Sequence, residues 1–347
     1  MKKSLIILTP GFPSSEEDST CLPMQQCFVK TLKQMHPQWE VTILSFHYPY
    51  RTGNYKWFDI EVNSFDGRNG GGWRGFLLRR KVLAFLEKLK KETEIIGMIS
   101  FWYGACAQVG KKFADRFHIP HLCWILGQDA KKENRLPRKA ALKGKELVAL
   151  SDFLQNEFER NHGVRPAHIV PPGLCEDLSS SSDRSIDILA VGSLIPLKRY
   201  EIFLRVADEL RKKIPNLNAV LAGEGPEKEK LLEMIHELGL QQHVRLRGEL
   251  PHPEILQLMR SSKLFLHPSS YEGFSGVCLE ALGAGTPVIS FCRPMQKNIP
   301  RWVIVNNEHE MKEKAWEILQ AGYIHEAVMV PDMKQTVKGM LEALGLV

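Results

Sequence analysis

The chain has 347 residues, 44% of them apolar and 25% charged, with 46 Lys+Arg against 40 Asp+Glu. That length favours two domains, each with its own core. The composition is ordinary for a soluble globular protein, and no apolar run approaches the roughly 18 residues of a membrane span. The charge is uneven: residues 1–172 hold 26 Lys+Arg against 17 Asp+Glu, a net +9, while the remainder holds 20 against 23, a net −3. The N-terminal half therefore presents either a solvated basic face or a site for an anionic partner such as a membrane surface, lipid phosphate or acidic glycan. The seven cysteines are odd in number and scattered, with no C-x-x-C. They are expected as reduced thiols in a cytosolic protein rather than as a disulfide framework or zinc site.

The first apolar run, Leu5–Leu8, follows Lys2 and Lys3 and stops at Pro10-Gly11. It is too short for a signal peptide and reads as a buried first strand. Further strands are expected at Val41–Ser45, Ile95–Phe101, His121–Leu126, Leu147–Leu150 and His168–Val170. Helical patterns at Met24–Met35, Leu77–Glu92 and Gln108–Arg116 separate the earlier ones. The pattern pauses at Val170–Gly173 and again over Glu176–Ser185, which contains four consecutive serines. Prolines hold the chain extended there and the polar run cannot continue a core, so a domain boundary is placed after residue 172.

The second half restarts with Ile186–Val191 and continues with Asn218–Ala222, Val244–Arg247, Leu264–His267, Val288–Phe291 and Val303–Val305. Helical patterns fall at Arg199–Lys213, Lys228–Leu238, Pro253–Ser261 and Glu310–Leu319, and the tail Asp332–Leu344 is also helix-compatible. Strands alternating with helices mean parallel sheets covered on both faces, here an α/β chain of two doubly wound Rossmann-like domains. Ligands of such sheets bind at the carboxyl ends of the strands, where strand order reverses. Two facing sheets would set both binding edges on one cleft.

Several turns at those ends carry chemistry. Gly192-Ser193 follows a strand and precedes Lys198, whose ammonium could meet a pyrophosphate at a helix entrance; taken alone, a turn with two solvated cations is the preferred reading. Gly223-Glu-Gly-Pro226 is half of a dinucleotide fingerprint and is usually only a tight turn. Glu272 and Glu280 stand eight positions apart around the Gly/Ser-rich turn Gly273-Phe274-Ser275-Gly276. Such a turn frees backbone N–H groups at a helix N-terminus for phosphate. Glu280 can lean back toward the same side to take a ribose diol. A loop carboxylate and a capping carboxylate are the plainer alternative. Asn69–Lys81 joins a glycine loop to an aromatic and basic stretch; it reads either as membrane-facing or as an ordinary loop and helix with Phe76, Leu77 and Phe85 in the core.

Taken in order, these segments resemble the C-terminal half of the retaining, glycogen-synthase-like glycosyltransferases (glycosyl transferases group 1, GT-B fold). The landmarks are the Gly192 turn with Lys198, Gly223–Pro226, Leu238-Gly-Leu240, Val244–Gly248, His267-Pro-Ser269, Glu272–Glu280 and Gly285-Thr-Pro287. The N-terminal half matches loosely, through Pro10-Gly11 and Trp124–Asp129. The resemblance implies an acceptor-side domain over 1–172, a nucleotide-sugar domain over 173–328, and a helix over 329–347 that returns to the first domain. It implies that Lys198 holds the donor pyrophosphate and that Glu280 binds ribose. Glu272 and the backbone of 273–276 would contact sugar and phosphates, with Glu272 and Lys198 the catalytic pair. Gly192, Ser193 and Gly223 would complete the donor site, with Arg247 bordering the base. Gly11, Gln128 and Asp129 are the acceptor-side candidates.

The implied reaction is metal-independent transfer from a nucleotide-diphosphate sugar to a glycan or lipid-linked acceptor in polysaccharide or lipopolysaccharide synthesis. No cofactor and no nucleic-acid partner are expected; the expected location is the cytoplasm, peripheral on the inner face of the membrane. Three departures stand out. Ser193 occupies the place of the family's usual Arg, Ser290–Met295 lacks the usual Gly-Gly loop, and Ile99–Gly104 offers no histidine. Ser193 motivates the alternative of a nucleotide-sugar-binding protein without turnover. An NAD-dependent oxidoreductase is opposed by the missing G-x-G-x-x-G.

Overall fold

The computed structural model describes residues 2–137, 141–175, 178, 183–322, 327–328 and 330–347. The chain forms two compact units, Met1–Cys175 with Pro331–Val347, and Glu176–Val330. Most of the polar run after Cys175, residues 176, 177 and 179–182, lies outside the described residues.

Unit 1 is built on β1 (Lys3–Gly11), β2 (Glu40–Tyr48), β3 (Thr52–Trp57), β4 (Ile60–Phe65), β5 (Glu94–Phe101), β6 (His121–Ile125), β7 (Leu147–Ala149) and β8 (His168–Ile169). Their order in the sheet is β3-β4-β2-β1-β5-β6-β7-β8. Leu5 to Leu8 are fully buried in succession, as expected of a parallel strand covered on both faces. The covering helices are α1 (Pro23–Met35), α2 (Gly72–Glu92), α3 (Ala105–Phe117) and α4 (Asp152–His162). On one face, Leu78, Val82 and Leu86 of α2 meet Val109 and Phe113 of α3 over Ile6, Leu8 and Leu44.

The sheet departs from the parallel reading at one edge. β3 and β4 form an antiparallel hairpin that the sequence analysis did not foresee. Helix α4 was also unforeseen; Ser151 caps it by accepting from Leu154 N at 3.0 Å.

A late segment completes unit 1. The last helix of the chain (Met333–Leu344) packs on α1 and buries Val337, Met340 and Leu341. Gly97 of β5 admits its Leu344, since a Cβ there would stand 2.7 Å from Leu344 Cδ2. The chain leaves and rejoins unit 1 at one place: Leu174 N donates to Pro331 O at 2.9 Å and Met333 N to Leu174 O at 2.8 Å.

The cysteine expectation needs correction. Cys27, in α1, is disulfide-bonded to Cys175, with Cα atoms 5.6 Å apart. The spacing argument failed because the partners are 148 residues apart and meet only through the fold. Cys21, Cys106, Cys123, Cys278 and Cys292 are free thiols.

Unit 2 is a six-stranded parallel sheet of β9 (Ile186–Val191), β10 (Ala219–Ala222), β11 (Val244–Leu246), β12 (Ser262–His267), β13 (Val288–Ser290) and β14 (Trp302–Ile304). The order is β11-β10-β9-β12-β13-β14. Its helices are α5 (Tyr200–Arg211), α6 (Lys228–Glu237), α7 (His252–Arg260), α8 (Gly276–Gly283) and α9 (Glu308–Gln320); Met333–Leu344 is α10. Strand order reverses between β1 and β5 in unit 1 and between β9 and β12 in unit 2, the places where such sheets open a crevice. The buried Arg184 ties the underside of unit 2 together, donating to Thr286 Oγ1 at 2.6 Å and Ala284 O at 2.7 Å.

Candidate functional site

The reversal point of unit 2 gathers the charged groups of interest. Gly192 directly follows β9 and has φ +147°; a Cβ there would stand 2.7 Å from the Tyr200 hydroxyl. Gly223, after β10, packs its backbone on Gly192, whose N–H donates to Ala222 O at 3.0 Å. The chain then makes a short 3-10 turn, Pro196–Lys198. Leu197 O in that turn accepts from Ser270 N at 2.9 Å and Ser270 Oγ at 3.1 Å. Those bonds draw the loop after β12 onto the turn after β9.

The result is a cluster around one carboxylate. Lys198 Nζ stands 2.5 Å from Glu272 Oε1, and both side chains are 18% exposed. His267, the last residue of β12 and almost fully buried, places Nε2 3.0 Å from the same oxygen. Burial works against charge on Glu272. The hydrogen bond and charge of His267 and the Lys198 ammonium together outweigh it and bring the carboxyl from 4.5 to about 2. Burial lowers His267 in turn, while its hydrogen bond to Glu272 and that carboxylate's charge work the other way.

Immediately beyond, the Gly273–Ser275 turn opens α8. No side chain caps this helix, and its first bond is Leu279 N to Ser275 O. The N–H groups of Gly276, Val277 and Cys278 therefore have no intrahelical acceptor. Nothing lies within 4 Å of the position a Cβ on Gly276 would take, so the helix mouth faces open space. The buried Ser275 hydroxyl lies beside it, against the Cys278 thiol. Phe274 is half-buried, edge-to-face with Trp302 at 5.9 Å. One helical turn on, Glu280 Oε1 is 2.7 Å from Nε2 of His252, the first residue of α7.

The expected donor residues are thus divided. Gly192, Lys198, Glu272, Gly273–Gly276 and Glu280 share the reversal point, and Gly223 supports it. Ser193 is exposed on the turn. Arg247 instead lines a separate cavity of about 270 Å³ with Ser185, Val220 and Glu254; only its neighbour Gly248 touches the Gly223 turn, through Gly223 N to Gly248 O at 2.7 Å. His267 and His252 escaped the sequence reading as functional residues. In sequence His267 is only a landmark of the resemblance, and its nearness to a strand end five residues before Glu272 is the available signal.

In unit 1, Gln128 and Asp129 line a cavity of about 700 Å³ with Pro10, His47, Arg79 and Trp102. Gly11 is buried beside it, paired with Tyr48 across β1 and β2. The Asp129 carboxylate turns back into its own loop, accepting from Leu126 N at 2.9 Å, and burial raises its pKa to about 7. Trp102, at the end of β5, has φ +67°, a strained conformation for an aromatic residue and of the kind that gathers at ligand sites.

Residues 179–311 match the family model described as Glycosyl transferases group 1. A 2-deoxystreptamine N-acetyl-D-glucosaminyltransferase of Niallia circulans is 32% identical over 144 residues, 42% of this chain and 35% of that protein. The lipopolysaccharide core biosynthesis glycosyltransferase LpsD of Rhizobium meliloti is 30% identical over 143 residues, 41% of this chain and 38% of that protein. The chain thus covers little more than a third of the length of these curated relatives. Among solved structures, Anabaena HepE in complex with UDP and glucose superposes with a TM-score of 0.72 at 18% identity, over 99% of both chains. The fold is GT-B.

Proposed function

We propose that the protein is a metal-independent, retaining glycosyltransferase that moves a sugar from a nucleotide-diphosphate sugar to a glycan or glycolipid acceptor. The observation that carries this reading is the ionised Glu272, held by Lys198 and His267 beside the uncapped start of α8. The complex of HepE with UDP and glucose and the similarity to LpsD support it. On this reading the diphosphate lies on the N–H groups of Gly276–Cys278, where the helix dipole favours negative charge. Lys198 meets the charge that develops on the leaving group. Glu280, braced by His252, takes the ribose hydroxyls.

The acidity of Glu272 refines its role. A carboxyl near pKa 2 is a poor base and carries no proton at neutral pH, so it does not shuttle protons. It holds Lys198 in place and accepts from a hydroxyl of the transferred sugar. The acceptor attacks from the face the leaving group departs, and the leaving phosphate takes its proton; no protein nucleophile is assigned. Lipopolysaccharide or surface-polysaccharide assembly is the proposed pathway class, at the cytoplasmic side of a membrane. No described helix is long and apolar enough to cross one.

The test is nucleoside diphosphate release from a panel of sugar nucleotides, with and without EDTA. Lys198→Ala and Glu272→Ala should each lower turnover by roughly 10²–10³-fold, and EDTA should change nothing. Full activity in Glu272→Ala would remove its role; EDTA-sensitive activity would remove metal independence. The second reading, binding without turnover, is favoured by Ser193, which places no cation on the exposed turn. Calorimetry that detects sugar-nucleotide binding where no diphosphate is released would establish it.

A further inference from the structure

Helix α2 presents two different faces over its first turns. Gly75, Leu78 and Arg79 look inward and line the 700 Å³ cavity of unit 1. Trp73, Phe76 and Leu77 look outward, 73%, 42% and 47% exposed. The reading of Phe76 and Leu77 as core residues is therefore corrected; of that trio only Phe85 is partly covered, edge-to-face with Phe65 at 5.7 Å. The outward residues form a continuous surface. The Trp73 and Phe76 rings lie 5.5 Å apart, and the Arg80 guanidinium lies 5.8 Å over Phe76.

Charge completes the pattern. From Gly67 to Leu86 the chain carries Arg68, Arg74, Arg79, Arg80 and Lys81 and no acidic residue. Arg74, Arg80 and Lys81 are exposed beside the apolar trio. An aromatic and apolar face rimmed by cations fits a bilayer interface, where the rings sit among head groups and the cations meet lipid phosphate. A protein partner would need a complementary acidic and apolar surface; an anionic bilayer offers both terms without a specific shape.

We propose that the first turns of α2 dock on an anionic lipid surface and deliver a lipid-borne acceptor, head group first, into the cavity behind the same helix. The two faces are separated by one helix width, about 10 Å, so an acceptor anchored at Trp73 has its polar head within reach of Arg79. The delivery step rests on the glycosyltransferase reading; the docking itself does not.

The experiment is co-sedimentation of the full chain with phosphatidylcholine vesicles, with and without phosphatidylglycerol, at two salt concentrations. Binding is expected only with phosphatidylglycerol and should weaken with salt. Trp73→Ser/Phe76→Ser/Leu77→Ser should lower it by roughly tenfold or more. Arg74→Ser/Arg80→Ser/Lys81→Ser should remove the preference for anionic lipid, while Lys91→Ser, at the other end of α2, should leave it intact. Circular dichroism checks that each variant is folded. Absence of binding, or equal binding by the apolar triple variant, overturns docking. Self-association that this variant abolishes, without vesicle binding, assigns the face to a second copy and also overturns it. Diphosphate release is read separately: its failure with docking intact counts against the function, and loss of docking with release intact counts against this proposal alone.

Discussion

At the residue scale, Glu272 decides what the site can do. Its pKa lies below the ordinary 4.5, at about 2, so its ionised form is favoured by folding. A carboxylate depressed in this way contributes stability above its unfolded pKa and loses it as pH falls through the folded value. The window is therefore pH 4.5 down to about 2. Chemical denaturation of wild type and Glu272→Gln should show wild type ahead by about 3 kcal/mol at neutral pH, a figure set by the size of the shift. The gap should narrow through that window; a gap independent of pH would show that the charge is not what neighbouring groups stabilise. Sequence spacing exposed Glu272, Glu280 and Lys198 as candidates because glutamates around a glycine turn are easily seen. The contact between Lys198 and Glu272, 74 positions apart, was not legible. It depends on Leu197 O gathering Ser270, a backbone bond with no side-chain signature at Leu197.

At the element scale, the two glycine turns of unit 2 form one interlocked piece. A Cβ on Gly223, whose φ is +151°, would collide with the carbonyl oxygen of Gly192. Gly223→Ala should therefore cost more than the 1 kcal/mol or so of a simple glycine replacement. We expect at least about 2 kcal/mol from strain and displacement together, read as a lowered unfolding midpoint, with weaker donor binding. An unchanged midpoint would mean that the turns are not packed as described. Most strands were legible because β-branched and leucine runs are short and bounded by turns. The β3–β4 hairpin was not. Its two-residue turn is Phe58-Asp59, with φ of +45° and +63°, where Asn-Gly or Asp-Gly would have announced it. β3 is also largely exposed, so it has no apolar run to read. Helix α4 had both signals, Ser151 at its start and Gly163 at its end, but few apolar residues between them.

At the scale of the molecule, the Cys27–Cys175 bond clamps the end of the first segment of unit 1 to α1. It closes a loop across 148 residues of sequence, for which loop-closure entropy amounts to about 5 kcal/mol at most. Thermal melts of wild type with dithiothreitol, and of Cys27→Ser without it, should fall together below oxidised wild type. Identical melts would mean that the bond contributes nothing to stability. The exception matters in a reducing cytoplasm, where this pair would open while the five free thiols are unaffected.

The meeting of Leu174 with Pro331 and Met333 has a consequence in time. Unit 2 is spliced into unit 1, so a ribosome synthesises all of it before α10. Until then α1 lacks the helix that covers it, and Gly97 faces an empty place where Leu344 will sit. Unit 2, whose strands are continuous in sequence, can close on itself while unit 1 waits with apolar surface exposed. During synthesis the first half of this chain is therefore the last to be finished.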